Sequence, residues 1–236
     1  PHLDVTGELV ALSRSELATK IPGRVAKVFV DEGQRVRTGE PLLRLETEYF
    51  TLDVERARAD LARAKAVADE ASSDFARKKD LRAKDSIPQS TFDRSQAAWE
   101  QARASLSAAD TGLRTAQQRL ADATLRAPFD GVVVARHTDV GERLSDNTVA
   151  FVISQTAPLK LRFDVPERYL ASVRRGMKVT AGVDPYPGTA FDGEVNVVGG
   201  TIDSRTRTFF VEALFPNHDG RLRPGMFARV KMDLKD

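Results

Sequence analysis

The sequence predicts an α+β protein: an antiparallel coiled-coil helical hairpin inserted in a small β-sandwich, followed by a small β-barrel. Three features of the 236 residues predict it. From Glu48 to Ala123 there is no glycine except Gly112 and no proline except Pro88, whereas both flanks carry many of each. A stretch without turn formers between two turn-rich ones separates helix from β structure. Inside the stretch run two heptad seams, and on either side of it lies one copy of a repeated β motif.

The first seam is Phe50, Val54, Ala57, Leu61, Ala64, Ala68, Ala71 and Phe75, alternating steps of four and three as the a and d positions of a coiled coil do. The second is Phe92, Ser95, Trp99, Ala102, Leu106, Ala109, Leu113, Ala116, Leu120 and Ala123. Between them Asp85, Ser86, Ile87 and Pro88 leave room only for a reversal, so the two helices pack antiparallel. Each arm of some 35 residues is about 50 Å long at 1.5 Å per residue. Alanine alternating with larger residues lets the arms approach closely. Ser90 is the expected N-cap of the second arm, with Asp93 in its first turn, and Pro88 stops the first.

The repeated motif reads Pro22 to Val28 then Glu32 to Val36 in its first copy, and Pro128 to Val134 then Val140 to Leu144 in its second. In each, a second glycine follows the first by ten positions and an arginine stands two beyond it: Gly23, Gly33 and Arg35, then Gly131, Gly141 and Arg143. Each copy is a strand, a glycine turn and a strand, and two such halves pack as one sandwich. Beyond it, residues 159–165, 177–184, 191–202, 206–215 and 226–234 are expected strands. A short helix from Glu167 to Arg175, closed by Gly176, is expected among them. With a strand near Val5 to Leu12 they suffice for a closed barrel without free edges. Gly199 and Gly200 are expected at a bend or bulge, and Arg205 and Arg207 on the outer face of a barrel strand.

Lys and Arg number 36 against 34 Asp and Glu, a net charge of +2 with no block of one sign, so no nucleic-acid footprint is present. No run approaches the roughly 18 apolar residues of a bilayer span, and the chain as it stands is expected to be soluble. With no cysteine, disulfides, thiol catalysis and Cys-based zinc sites are excluded. His2, His137 and His218 lie far apart, and Met177, Met226 and Met232 sit at β positions that suit core packing, so no catalytic or metal cluster is expected. The protein is therefore read as no enzyme and as holding no cofactor.

The order of half-sandwich, hairpin, half-sandwich and barrel resembles the periplasmic adaptors of resistance-nodulation-division (RND) efflux pumps, within the wider membrane-fusion protein family. Ile21 to Glu46 and Ala127 to Gly141 look like the two halves of that family's lipoyl-like domain. Asp192 to Val230 looks like its barrel. The resemblance implies residues 1–16 as an N-terminal strand joining the barrel, 17–46 with 124–156 as the lipoyl-like domain, 47–123 as the hairpin and 157–236 as the barrel domain. Glu46, Thr47, Glu48 and Tyr49 stand where a lipoyl or biotinyl carrier has its target lysine, so covalent cofactor attachment is not expected.

In the family the hairpin tip docks onto an outer-membrane channel through an Arg, a Leu four residues on and a Ser seven beyond. Arg77 and Leu81 match the first two; the third falls on Pro88, between Ser86 and Ser90. The resemblance thus implies a periplasmic adaptor, associated with the inner membrane. Its implied partners are an inner-membrane RND-type transporter, an outer-membrane channel and further copies of itself in a ring of six. A membrane anchor and a membrane-proximal domain are expected outside this sequence. The alternatives are an adaptor of an ABC-type or metal exporter, a biotin- or lipoyl-carrier-like protein, and a free-standing scaffold.

Overall fold

The computed structural model describes residues 2–234. Fourteen strands and two long helices follow in the order β1 (His2–Ala11), β2 (Arg14–Ala18), β3 (Gly23–Val28), β4 (Arg35–Val36), β5 (Pro41–Leu45), α1 (Glu48–Ala83), α2 (Gln89–Asp122), β6 (Thr124–Arg126), β7 (Gly131–Arg136), β8 (Arg143–Leu144), β9 (Val149–Ser154), β10 (Leu159–Pro166), β11 (Lys178–Val183), β12 (Phe191–Val198), β13 (Thr208–Phe215) and β14 (Phe227–Asp233).

The two halves of the sandwich interleave. One sheet has the order β2-β9-β7-β4 and the other β6-β5-β3-β8, so each sheet takes two strands from either side of the hairpin. The glycine turns explain the exchange. Gly33 and Gly141 have φ of +80° and +90°, which an L side chain rarely adopts, and each aims its amide across the domain. Gly33 N–H donates to the Val133 carbonyl at 2.9 Å and Gly141 N–H to that of Val25 at 2.8 Å. The chain then returns the bond: Val133 N–H donates to Gln34 and Val25 N–H to Glu142. A single core of Val25, Leu42, Leu43, Leu45, Val133, Leu144, Phe151 and Ile153 lies between the sheets.

The hairpin leaves this body with almost no linker, since β5 ends at Leu45 and α1 begins at Glu48, while α2 ends at Asp122 and β6 begins at Thr124. Every residue of the two expected seams is buried or half-buried, among flanking positions that are mostly exposed. Val54, Ala68, Ser95, Ala102, Ala116 and Ala123 are the fully buried members. Two helices of 36 and 34 residues give a stiff arm of about 50 Å.

Strands β1-β10-β13-β12-β11-β14 close into the barrel. Alternation along β10, β13 and β14 puts Leu161, Phe163, Val211, Ala213, Phe215, Ala228 and Val230 inside. Gly193 is needed where it stands, because a Cβ there would meet the Phe215 ring at 2.6 Å.

Three local expectations are corrected and a fourth is met in part. The helix expected over 167–175 is only a single 3₁₀ turn, Glu167–Tyr169, followed by turns. Nine residues are too few to hold a helix by propensity, and burial of Val173 under the barrel end decides their path instead. Strand β13 starts at Thr208, so Arg205 and Arg207 lie in a turn. Asp203 holds that turn by accepting from the amides of Arg205 and Thr206, and Arg207 takes φ +54°. The chain does bend at Gly200, past the end of β12, but the barrel's register shift falls earlier, between Val195 and Val197, and Gly199 still pairs through its amide with Phe210. The N-cap of α2 is Pro88 and not Ser90, which stands inside the first turn. With φ −65° and ψ 150°, Pro88 already has the extended geometry of a cap.

Candidate functional site

The expected docking residues gather at the far end of the hairpin, about 50 Å of helix away from the sandwich. Helix α1 ends in a reversal closed by two backbone bonds, Asp85 N–H to Arg82 and Ser86 N–H to Leu81, both 2.9 Å. Asp85 carries the left-handed residue at φ +52°, the position usually given to glycine in such a C-terminal motif. Ser86, Pro88 and Ser90 are all exposed, and Ser86 Oγ donates back to the Lys84 carbonyl at 3.2 Å.

Arg77 and Leu81 stand one turn apart on the outward side of α1. The Arg77 side chain is 76% exposed and lies 3.6 Å from Asp74, while Leu81 is 43% exposed. The seam itself continues past Phe75 onto Lys78 and Arg82, both half-buried, and this leaves Leu81 off the helix–helix contact. An apolar side chain presented to water beside a cation can take part in docking without a fold role. Lys78 bonds Asp74 at 2.7 Å, the main reason the Asp74 carboxyl is held below its ordinary range.

A polar latch that sequence reasoning missed holds the turn. Arg82 Nε donates to Gln89 Oε1 at 2.9 Å and its Nη1 to Asp85 at 3.2 Å, and Gln89 Nε2 donates on to Asp93 at 2.7 Å. The signal was present: extending the alternation of four and three beyond Phe75 lands on Lys78 and Arg82. Behind the latch Phe75 stacks on Trp99, with ring centroids 5.0 Å apart and planes within 1°, and touches Phe92 at 5.6 Å. The tip is thus a polar cap on an aromatic plug.

No group of three His, Cys, Asp or Glu residues able to hold a metal exists among the described residues. No helix among the described residues is long and apolar enough to cross a membrane. What the arrangement offers is reach: a rigid arm carrying an exposed cation, an exposed leucine and a hydroxyl-rich turn.

A long hairpin set between the halves of a barrel-sandwich body, with a six-stranded barrel behind, defines the architecture of membrane fusion proteins. Residues 13–155 match the family model described as CzcB-like, barrel-sandwich hybrid domain, and residues 159–236 match CusB-like, beta-barrel domain. The chain belongs to the membrane fusion, or periplasmic adaptor, family of RND-type pumps. It is 29% identical over 242 residues to the multidrug resistance protein MdtA of Escherichia coli and 28% identical to that of Cronobacter turicensis; each alignment covers 98% of this chain. The chain spans 58% of the length of these relatives. Among solved structures, the membrane fusion protein from Streptococcus pneumoniae shares the fold at a TM-score of 0.75 and 18% identity, over 99% of this chain and 100% of that one. A MacA-MexA chimera carrying the Pseudomonas aeruginosa MexA α-hairpin does so at 0.69 and 19%, over 100% and 79%.

Proposed function

We propose that this chain is the periplasmic adaptor of a tripartite efflux pump, joining an inner-membrane RND-type transporter to an outer-membrane channel for the export of small molecules. The observation that carries the reading is the arm: two helices about 50 Å long, braced at the root by the sandwich and at the far end by the Arg82–Gln89–Asp93 latch. Such an object transmits contact over a distance and performs no chemistry of its own, so the chain is read as a coupling protein and not an enzyme. The name of the relatives, multidrug resistance protein, supports export of drugs as the process served. Copies assemble as a ring of six, with the barrels toward the transporter and the hairpin tips toward the channel. Arg77, Leu81 and the turn from Ser86 through Pro88 to Ser90 make the docking surface.

The test is the double variant Arg77→Glu, Leu81→Asp in the intact gene, expressed in a strain without other adaptors. Charge reversal and a carboxylate in an apolar contact oppose docking through repulsion and desolvation. The variant should keep its helical circular dichroism and its hold on the transporter, yet lose crosslinking to the channel and drug export. Normal export would assign the tip no docking role.

A further inference from the structure

A second candidate site lies at the other end of the molecule, where the sandwich meets the barrel, and goes beyond the bridging role. Strand pairing sets four residues in one row across the sheet β2-β9-β7-β4: Arg14 opposite Ser154, Ser154 opposite Val132, and Val132 opposite Arg35. Residues paired in this way share a face of the sheet. That face forms one wall of a cleft of about 630 Å³, and the barrel loop carrying Leu222, Arg223 and Pro224 forms the other. Three arginines therefore converge from two domains, and no acidic residue lines the cleft.

Among the described residues none of Arg14, Arg35 and Arg223 has a carboxylate partner, whereas Arg136 pairs with Asp31 and Arg229 with Asp184. Arg35 reaches across the junction to the backbone of Gly220, where an added Cβ would strike its guanidinium. The floor between the cations is apolar. Val132 and Val134 lie on the same face of β7, Val134 is 46% exposed, and the exposed Pro224 stands opposite. Like charges gathered without counter-charge, over an apolar floor wide enough for a small molecule, suit a ligand that has one anionic head and a hydrocarbon body.

We propose that the sandwich–barrel cleft binds an amphipathic organic anion. Arg14, Arg35 and Arg223 hold its carboxylate or phosphate, and its apolar part covers Val132, Val134 and Pro224. Because the arginines come from both domains, the bound anion ties the sandwich to the barrel.

Isothermal titration with decanoate, below its micelle concentration, tests the site. Saturable one-to-one binding is expected, weakened at least about tenfold in Arg35→Gln or Arg223→Gln, since a hydrogen bond to a charged group is worth about 1.5–3 kcal/mol. Arg56→Gln, on the hairpin, should bind as the parent does. A short-chain phosphatidylglycerol titrated in parallel distinguishes a lipid phosphate from a free carboxylate: saturable binding of either supports the site, and binding of neither overturns it. Equal binding of neutral octyl glucoside, binding of inorganic phosphate alone, or parental affinity in Arg14→Gln/Arg35→Gln/Arg223→Gln would each overturn it too. None of these results bears on docking at the hairpin tip, which is read by crosslinking.

Discussion

The amide of Gly33 bonds the carbonyl of Val133, and the equivalent amide of Gly141 bonds the carbonyl of Val25, so each half of the sandwich is closed by the other. Neither half can finish its sheet alone. Nothing lies within 4 Å of where a Cβ on Gly33 or Gly141 would stand, so the cost of alanine there is purely conformational. Gly33→Ala and Gly141→Ala should each lower stability by about 1–2 kcal/mol. Their losses should match within error in urea denaturation; a large difference between them would break the equivalence.

Phe75 stacks on Trp99 in the outer part of the hairpin. Replacing Phe75 with alanine should cost the arm about 2 kcal/mol, less than the loss of a fully buried ring. The helical circular dichroism should melt earlier while the β body keeps its own transition. A single, unmoved transition would show that the plug contributes nothing to the arm.

Asn217 is a buried clasp that no motif announces. Its Nδ2 donates to the carbonyls of Thr156, at 2.7 Å, and Leu222, at 2.9 Å, and its Oδ1 accepts from the Leu222 amide at 3.0 Å. It also takes φ +52°, which asparagine tolerates better than most residues. Asn217→Ala should destabilise by about 2–3 kcal/mol through three lost bonds and strain. Asn217→Gly should lose less, because glycine keeps the backbone angle; equal losses would remove backbone conformation from the account.

Acid should loosen the sandwich. Asp130 accepts from the Thr38 amide at 2.6 Å and hydroxyl at 2.8 Å, and chiefly the amide holds its carboxyl below the ordinary range. Asp31 is lowered first by the Glu32 amide and then by Arg136. A depressed folded value means that the folded chain resists protonation. The stabilisation is therefore complete above the unfolded aspartate pKa of about 3.9 and disappears as pH falls below it. Urea midpoints measured at pH 7, 5 and 3 should drop most over the last step, and less steeply in Asp130→Asn. Parallel declines in the two proteins would acquit Asp130.

Periodicity made the hairpin legible, because a seam of four-and-three steps specifies which faces meet whatever surrounds them. The glycine spacing of the repeat marked the two sandwich turns for a similar reason: a backbone angle open chiefly to glycine is written directly in the sequence. Barrel strands were visible as alternation, whereas the tip residues were reached only through the family resemblance. Tertiary structure alone decided the rest. The interleaving of the halves, the row from Arg14 to Arg35 and the Asn217 clasp all join residues far apart in the chain, and only packing chooses such partners. The same holds for the turn at 204–207 and the short 3₁₀ segment after Pro166. Local propensity there is too weak to specify a conformation, so burial of Val173 and the bonds to Asp203 settle it.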